Sequence, residues 1–165
     1  FSNSNSKYGI NLIKSLGLEE ALDINLNIKI TQSSLPIWAQ INNMKYPFTK
    51  QEKQTINKIN EIIHLNILDP KIIYNSGLYI VSLVAEIKEI PKKEILKIYN
   101  EMEIHDKTEI KIEPLEICEY LGITPGYALK QIIEEIENNI LEKKLLNEKE
   151  NIKKYLNKYK KCYNN

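Results

Sequence analysis

The sequence predicts an all-α protein, in which a bundle-like body of seven to eight helices is followed by a helical C-terminal tail. Apolar residues recur at intervals of three and four along most of the chain, and helix-start signals precede several of these stretches. The chain contains neither a βαβ unit nor a glycine-rich phosphate loop. The clearest helix boundaries fall in the last third, so we predict a body-like region at 1–105 and a tail-like region at 106–165 with a basic final helix.

Composition excludes several classes of protein. The 165 residues are 42% hydrophobic, which is enough to form a core, and 23 basic against 22 acidic residues exclude a strongly basic or strongly acidic chain. Every basic residue is lysine, so no site can use the bidentate fork of arginine. Two cysteines and two histidines are too few for a disulfide framework or a four-ligand zinc site.

The N-terminal part is predicted to form short helices and one strand. Ile10, Ile13 and Leu16 predict a helix over 8–16 that ends at Gly17, and a second short helix over 36–42 carries Trp38. Strict alternation of apolar and polar residues over 23–30 predicts a strand. Its partner would be 109–112, so the sequence allows one small two-stranded ribbon.

Helix-start signals define the middle of the chain. Thr49 and Glu52 form a capping-box pattern, and Asp69 followed by Pro70 predicts another helix start. The latter helix continues into a stretch that is apolar on most sides, 78–87, so we expect it to be central and buried. Pro91 begins the next helix.

The tail-like region is predicted to contain three helices. The first runs from Pro114 to Gly122, and the second begins at Thr124 and Pro125. Asn147, with Glu150 three residues later, is a second capping-box pattern and predicts the start of the last helix.

Catalytic chemistry is poorly represented. The three aspartates, Asp23, Asp69 and Asp106, include no pair separated by one residue, which would present two carboxylates to two metal ions. The pair His105–Asp106 suggests a metal phosphohydrolase, but only His64 remains as a further histidine ligand. We therefore predict no catalytic residue and no metal site in this segment.

Two other candidate groups have simpler explanations. Cys118 lies on an apolar helix face and is expected to be a buried hydrophobe. The glutamates Glu134, Glu135 and Glu137 are expected to form a solvated helix face, because no cleft is indicated around them.

Binding chemistry is better represented near the C-terminus. Eight lysines and two glutamates over 143–161 give a local net charge of +6. Lys153, Lys154, Lys158 and Lys161 lie off the apolar stripe, so one face of the last helix can attract a phosphate backbone. A lysine-rich solvated helix explains the same pattern equally well.

The turn over 121–127 is the second candidate. A helix that begins at Pro125 leaves the amides of Gly126 and Tyr127 free at its positive end, where an RNA phosphate could approach. Tyr127 could stack on a base or sugar, and Lys130 adds charge one turn later. The alternative is a tight helix–helix corner in which the glycines serve only packing.

The segment 121–156 resembles the closing part of bacterial CCA-adding enzymes, the tRNA nucleotidyltransferase and poly(A) polymerase family. The positions that carry the resemblance are Gly122, Pro125, Gly126, Leu129, Leu145, Asn147, Glu150 and Leu156. Weaker similarity to the helical body of the family runs through 8–18 and 35–41, and Ile104 with 110–117 resembles the linker and helix before the Pro-Gly turn. The connector 109–114 departs from the family pattern, and the paired aspartates of the catalytic head and the nucleotide-selecting Asp and Arg are not found.

The resemblance implies a tRNA-binding C-terminal part that positions the 3′ end for a catalytic head outside this segment. It implies contacts with the acceptor arm and elbow of tRNA and with the head domain of the parent chain, and no membrane partner. The predicted RNA-binding residues are Gly126, Tyr127, Lys130, Lys143, Lys144, Lys153 and Lys154. Mg²⁺, CTP and ATP would be used by the parent enzyme, with no cofactor bound by this segment.

Two further hypotheses remain open at this stage. The chain could be a non-catalytic RNA-binding or structural protein of a ribonucleoprotein assembly from the same family, or a helical adaptor without an RNA role. Its start at Phe1 and its lack of a signal-peptide pattern predict a piece of a longer or processed protein. We expect a cytoplasmic location, or an organelle if the chain is a processed product.

Overall fold

The computed structural model describes residues 6–41 and 45–163, with side chains described at 7–41 and 45–160. The described residues form ten α-helices and no β-strand, which confirms the all-α class. The chain divides into two compact units, Phe1–Asn100 (unit 1) and Glu101–Asn165 (unit 2). Asn42, where the second predicted helix ends, and the side chain of Lys161 lie outside the described residues.

The helices of the described residues agree in number with the prediction, but several begin or end at other residues. Those of unit 1 are α1 (Ser6–Ser15), α2 (Glu19–Leu22), α3 (Ser34–Ile41), α4 (Lys50–Ile62), α5 (Pro70–Ser76), α6 (Leu78–Lys88) and α7 (Lys92–Asn100). Unit 2 contains a 3₁₀ turn (Lys107–Glu109) and helices α8 (Pro114–Leu121), α9 (Tyr127–Leu141) and α10 (Lys149–Tyr163).

The predicted two-stranded ribbon is wrong. Residues 24–30 are irregular, and 107–109 form the 3₁₀ turn. Side chains of unit 1 satisfy the backbone of the first segment: Leu26 N donates to Glu19 Oε1 at 3.0 Å and Lys29 N donates to Gln40 Oε1 at 2.8 Å. The alternating pattern arises because Leu26 is fully buried while its neighbours are exposed, and burial of one side does not require a second strand.

The helix starts in the middle of the chain are confirmed. Thr49 and Glu52 form a reciprocal capping box at α4, and Asp69 caps α5 with Pro70 at its first position. The single helix predicted from Asp69 is instead two helices, because Gly77 adopts a positive φ of 81° between them. Glycine accepts this backbone conformation without the steric cost that other residues meet.

Helix α6 forms the centre of unit 1, as its sequence predicts. It packs against α3, α4, α5 and α7. Val81, Val84 and Ala85 are fully buried, and Ile56 and Ile59 of α4 are fully buried as well. An aromatic cluster of Trp38, Tyr46 and Phe48, with ring centroids 4.6 to 6.4 Å apart, lies in the same unit.

Unit 2 is built from α8, α9 and α10, with α8 packed against both of the others. Its core includes Ile117, Leu121, Ile132, Ile136, Ile140, Ile152 and Leu156. Cys118 is buried in this core, as expected of a small hydrophobe. Among the described residues, no helix combines the length and the apolar character needed to cross a lipid bilayer.

Two predicted helix starts in unit 2 are wrong. Helix α9 begins at Tyr127, two residues after Pro125, with Gly126 at its N-cap. Helix α10 begins at Lys149, and the side chain of Asn147 does not cap it. The Asn147 Oδ1 atom instead accepts a hydrogen bond from Lys111 N at 3.0 Å.

Candidate nucleic-acid interface

The corner between α8 and α9 is exposed and open. Gly122 ends α8 with a left-handed φ of 69°, and its N–H donates to the Cys118 carbonyl oxygen. Residues 124–127 are all exposed. A Cβ atom placed on Gly126 would meet only the Thr124 carbonyl oxygen, at 4.0 Å. The corner therefore leaves space for a ligand beside the start of α9.

The amides without a helical partner at the start of α9 are those of residues 127–129, whereas the sequence predicted those of Gly126 and Tyr127. The first backbone bond within α9 runs from Lys130 N to the Gly126 carbonyl oxygen at 3.1 Å. The amides that precede it are those of Tyr127, Ala128 and Leu129, and no side chain of Gly126 can cap them. They lie at the positive end of a 15-residue helix.

Tyr127 and Lys130 are both available to solvent. The Tyr127 side chain is 76% exposed, and its hydroxyl accepts a hydrogen bond from Gln131 Nε2 at 3.2 Å. Lys130 Nζ lies 3.8 Å from Glu134 Oε1, at the outer limit of an ion pair. The ring of Tyr127 is therefore presented to solvent, while the charge of Lys130 is partly compensated.

Neighbouring carboxylates and rings engage part of the basic stretch. Lys149 pairs with Glu116 at 2.5 Å, and Lys158 pairs with Glu135. Lys160 Nζ lies over the ring of Tyr120, 3.6 Å from its centroid. The local charge counted along the sequence therefore overstates the positive potential of this surface.

Three of the predicted lysines form no ion pair within the described part of the chain. Lys143 and Lys154 are exposed. Lys153 is half-buried, and its charge helps to lower the pKa of Glu116, to which the hydrogen bond from Lys149 contributes most. Lys144 pairs with Glu142 at 2.5 Å, and this hydrogen bond raises the pKa of Lys144 above its ordinary value.

The seven predicted residues do not form one continuous cradle. Gly126, Tyr127 and Lys130 are at the start of α9, whereas Lys143 and Lys144 follow its end. A 15-residue helix is about 22 Å long. Lys153 and Lys154 belong to the first half of α10. The start of α9 is thus about one helix length away from Lys143 and Lys144.

Of the three glutamates of α9 that the sequence predicts to be solvated, only Glu134 is exposed, whereas Glu135 is half-buried and Glu137 is buried beside Lys107. Glu135 accepts hydrogen bonds from Lys158, from Tyr155 at 2.5 Å and from Tyr159. These donors, Lys158 first, lower the pKa of Glu135 to about 2. We call Glu135, Tyr155, Lys158 and Tyr159 the Glu135 clamp, because it joins α9 to α10.

The pKa values of the donors reflect the same contacts. Burial, followed by the hydrogen bond to Glu135, raises the pKa of Tyr159 to about 12. Burial opposes the charge of Lys158, but its hydrogen bonds with Glu135 and Tyr155 raise its pKa overall. The clamp is therefore an ionised carboxylate, an ammonium group and two neutral phenols near neutral pH.

Asn147 is a structural residue whose role the sequence did not indicate. Its backbone N donates to Glu103 at 3.2 Å, its Nδ2 donates to the Glu109 carbonyl oxygen at 2.8 Å, and its Oδ1 accepts from Lys111. It therefore holds the segment before α8 against the loop before α10. The sequence contains one other sign of its importance: Asn147 is among the residues that carry the resemblance to CCA-adding enzymes.

The structure does not support metal chemistry at the His105–Asp106 pair. His105 Nδ1 lies 3.2 Å from Glu109 Oε2, and Asp106 caps the 3₁₀ turn through Thr108. Among the side chains described at 7–41 and 45–160, no group of three or more His, Cys, Asp or Glu could hold a metal ion. The hypothesis of a metal phosphohydrolase therefore has no ligand set here.

These features define an all-helical protein whose second unit carries a helix start without a side-chain cap and exposed lysines. Comparison with known proteins is more specific: the family of tRNA nucleotidyltransferase domain 2 matches residues 39–156. This match covers more than two thirds of the chain. The chain belongs to this family.

Two curated relatives agree with this assignment. The chain is 36% identical over 81 residues to a CCA-adding enzyme of Lactococcus lactis subsp. lactis (strain IL1403), and 32% identical to one of Lactococcus lactis subsp. cremoris (strain MG1363). Each alignment covers 46% of this chain and 20% of the relative. The chain thus spans about a fifth of the length of these relatives.

Proposed function

We propose that this chain is the tRNA-binding C-terminal part of a CCA-adding tRNA nucleotidyltransferase, and that it positions the tRNA 3′ end for a catalytic head outside these residues. Membership of the family over 39–156 carries the proposal. The open start of α9 and the exposed lysines Lys143 and Lys154 support the proposal, because amides and ammonium groups are the donors that an RNA backbone binds.

The mechanism is positioning. The amides at the start of α9 and the ring of Tyr127 would hold one part of the tRNA, and Lys143, Lys153 and Lys154 would hold another. Two contact regions about one helix length apart restrain the orientation of a rigid RNA better than one region can. Fixed orientation lowers the barrier to nucleotide addition, although no residue of this segment need touch the reacting atoms.

The partners and cofactors follow from the same proposal. The acceptor arm and elbow of tRNA would be the RNA partner, and the head of the parent chain the protein partner. Mg²⁺, CTP and ATP would bind to the head, and the described residues contain no ligand cluster that fits a metal ion. No step is therefore assigned to a metal in this segment.

A salt series with tRNA tests the proposal. Each lysine that neutralises a phosphate contributes about 0.9 to the slope of log affinity against log salt concentration. We expect Lys153→Gln with Lys154→Gln to flatten this slope by up to about two. The control, Lys53→Gln with Lys58→Gln, removes two exposed charges from α4 of unit 1.

The two double variants separate a contact surface from a general charge effect. A slope that falls only in the Lys153 and Lys154 variant supports the proposal. An unchanged slope removes α10 from the RNA contacts, and an equal fall in both variants shows that net charge alone is responsible.

A further inference from the structure

A groove of about 440 Å³ lies beside α9 and reaches Tyr159 of α10. Ala128 and Ile132 contribute its apolar lining, and Gln131 and Asn138 contribute side-chain amides. This volume is within the range of small-ligand sites, roughly 300 to 1,000 Å³. The groove thus offers an apolar surface, an aromatic ring and hydrogen-bonding groups in one place.

The aromatic side of the groove is held in position. The hydroxyl of Tyr159 donates to Glu135, which also accepts from Tyr155 and Lys158. Because the hydroxyl is engaged by the clamp, the ring is fixed before any ligand binds. The raised pKa of Tyr159, about 12, keeps this phenol neutral over the physiological range.

A second aromatic ring lies next to the same lining. Tyr127, 76% exposed, accepts a hydrogen bond from Gln131 Nε2 at 3.2 Å, and Gln131 lines the groove. Aromatic rings combined with side-chain amides are the groups that proteins use to bind unstacked bases of single-stranded RNA.

The charge of the groove selects the part of RNA that can enter. Glu134 and Glu135 both line it, and because Lys158 offsets the charge of Glu135, Glu134 is the carboxylate that disfavours a phosphate group. Glu135 already accepts three hydrogen bonds, whereas Glu134 is exposed and its oxygen lies 3.8 Å from Lys130 Nζ. A carboxylate can only accept hydrogen bonds, and it accepts well from an amino group such as N4 of cytosine.

We propose that this groove binds one unstacked nucleobase that carries an exocyclic amino group. Tyr127 and Tyr159 provide stacking surfaces, the amides of Gln131 and Asn138 bind the edge of the base, and Glu134 accepts from the amino group. The inference rests on the proposed function, because the base belongs to the bound RNA. It adds base selection to the phosphate contacts made by lysines outside the groove.

Matched oligoribonucleotides test the proposal. Cytosine and uracil have similar size and weak stacking, but only cytosine carries the amino group. We expect the full chain to bind a ten-residue oligocytidylate about fivefold or more tighter than oligouridylate of equal length, measured by fluorescence anisotropy. The two probes carry the same phosphate charge, so the salt dependence of binding should be the same for both.

Two single variants identify the group responsible. Glu134→Gln is expected to reduce the preference for cytosine to less than twofold. Glu119→Gln makes the same charge change on an exposed residue of the neighbouring helix and is expected to retain the full preference. Glu119→Gln should bind both oligomers slightly more tightly, because it removes one negative charge, whereas Glu134→Gln should lose affinity chiefly for oligocytidylate.

The outcomes distinguish the groove from the wider proposal. Equal binding of the two oligomers, no binding of either, or equal loss of preference in the two variants overturns the base-binding groove. If the preference depends on Glu134 while the Lys153 and Lys154 variant leaves the salt slope for tRNA unchanged, the groove is supported and the lysine contact surface is not. If the salt slope depends on the two lysines but cytosine is not preferred, the lysine contact surface is supported and the groove is not.

Discussion

Replacement of Glu135 by Gln tests the clamp that joins α9 to α10. Glutamine keeps an oxygen that can accept a hydrogen bond but removes the charge that Lys158 and the two phenols stabilise. Their hydrogen bonds lower the pKa of Glu135 from an ordinary 4.5 to about 2, a shift of about 2.5 pKa units. At 1.36 kcal/mol per unit, this corresponds to about 3.4 kcal/mol of stabilisation.

Solvent reduces the contribution that can be measured. The side chains of Glu135 and Lys158 are 42% and 44% exposed, so screening weakens their attraction. We therefore expect Glu135→Gln to lower the free energy of unfolding by about 1–2 kcal/mol at pH 7. Glu134→Gln is the matched control, because its carboxylate is adjacent in sequence and its ion pair is long, at 3.8 Å.

The effect should depend on pH in a defined direction. A carboxylate with a lowered pKa in the folded state stabilises the fold above its unfolded pKa, and this stabilisation is lost as the pH falls through the folded value. The difference between the wild-type protein and Glu135→Gln should therefore be constant above about pH 5 and disappear as the pH falls from about 4.5 to about 2. Acid effects on other groups are common to both proteins and cancel in this difference.

Urea denaturation followed by circular dichroism at several pH values measures this difference. Hydrogen–deuterium exchange should localise it, with faster exchange of the α10 amides in Glu135→Gln at pH 7. A difference that does not change with pH, or the same loss of stability in Glu134→Gln, would refute the reasoning.

Two further predictions concern local structure. Thr49→Ala removes the side-chain acceptor at the start of α4 and is expected to lower the free energy of unfolding by about 1 kcal/mol, measured by denaturation with Trp38 fluorescence. Thr49→Ser keeps the hydroxyl group and should retain the stability of the wild-type protein. An alanine variant as stable as the wild-type protein would contradict the capping role of Thr49. Asn147→Ala removes two side-chain hydrogen bonds and is expected to cost about 2–3 kcal/mol by urea denaturation. Asn151→Ala removes a single bond to Glu148 and serves as the control, so an equal loss in the two variants would argue against the role of Asn147.

Local chemistry explains why several helix boundaries are predictable from sequence. The capping box at Thr49, the Asp69–Pro70 start and the end of α8 at Gly122 involve residues that are neighbours along the chain, so their spacing is sufficient to predict them. The prediction at Asn147 was wrong although its spacing was equally suitable. Its amide bonds Lys111 and Glu109, more than thirty residues away, and this pairing requires the folded unit.

The candidate site, too, could be predicted from the sequence only where its residues are neighbours along the chain. The open corner at Gly126 was predictable, because glycine and proline mark it in the sequence. The groove and the clamp were not, because Glu135 and Tyr159 are 24 residues apart and only the packing of α9 against α10 brings them together. The separation of the predicted lysines from Gly126 depends likewise on where each helix begins and ends.

The amino-acid sequence by itself determined the helical class, many of the helix boundaries and the likeness to CCA-adding enzymes, since each of these depends on residues close together along the chain. The tertiary structure decided which lysines form ion pairs and where a groove forms. Lys158 and Lys154 look alike in the sequence and both are exposed, yet Lys158 pairs with Glu135 and Lys154 forms no ion pair with the described residues. The physical reason is that electrostatic compensation depends on distances in space, which are fixed only when the helices pack.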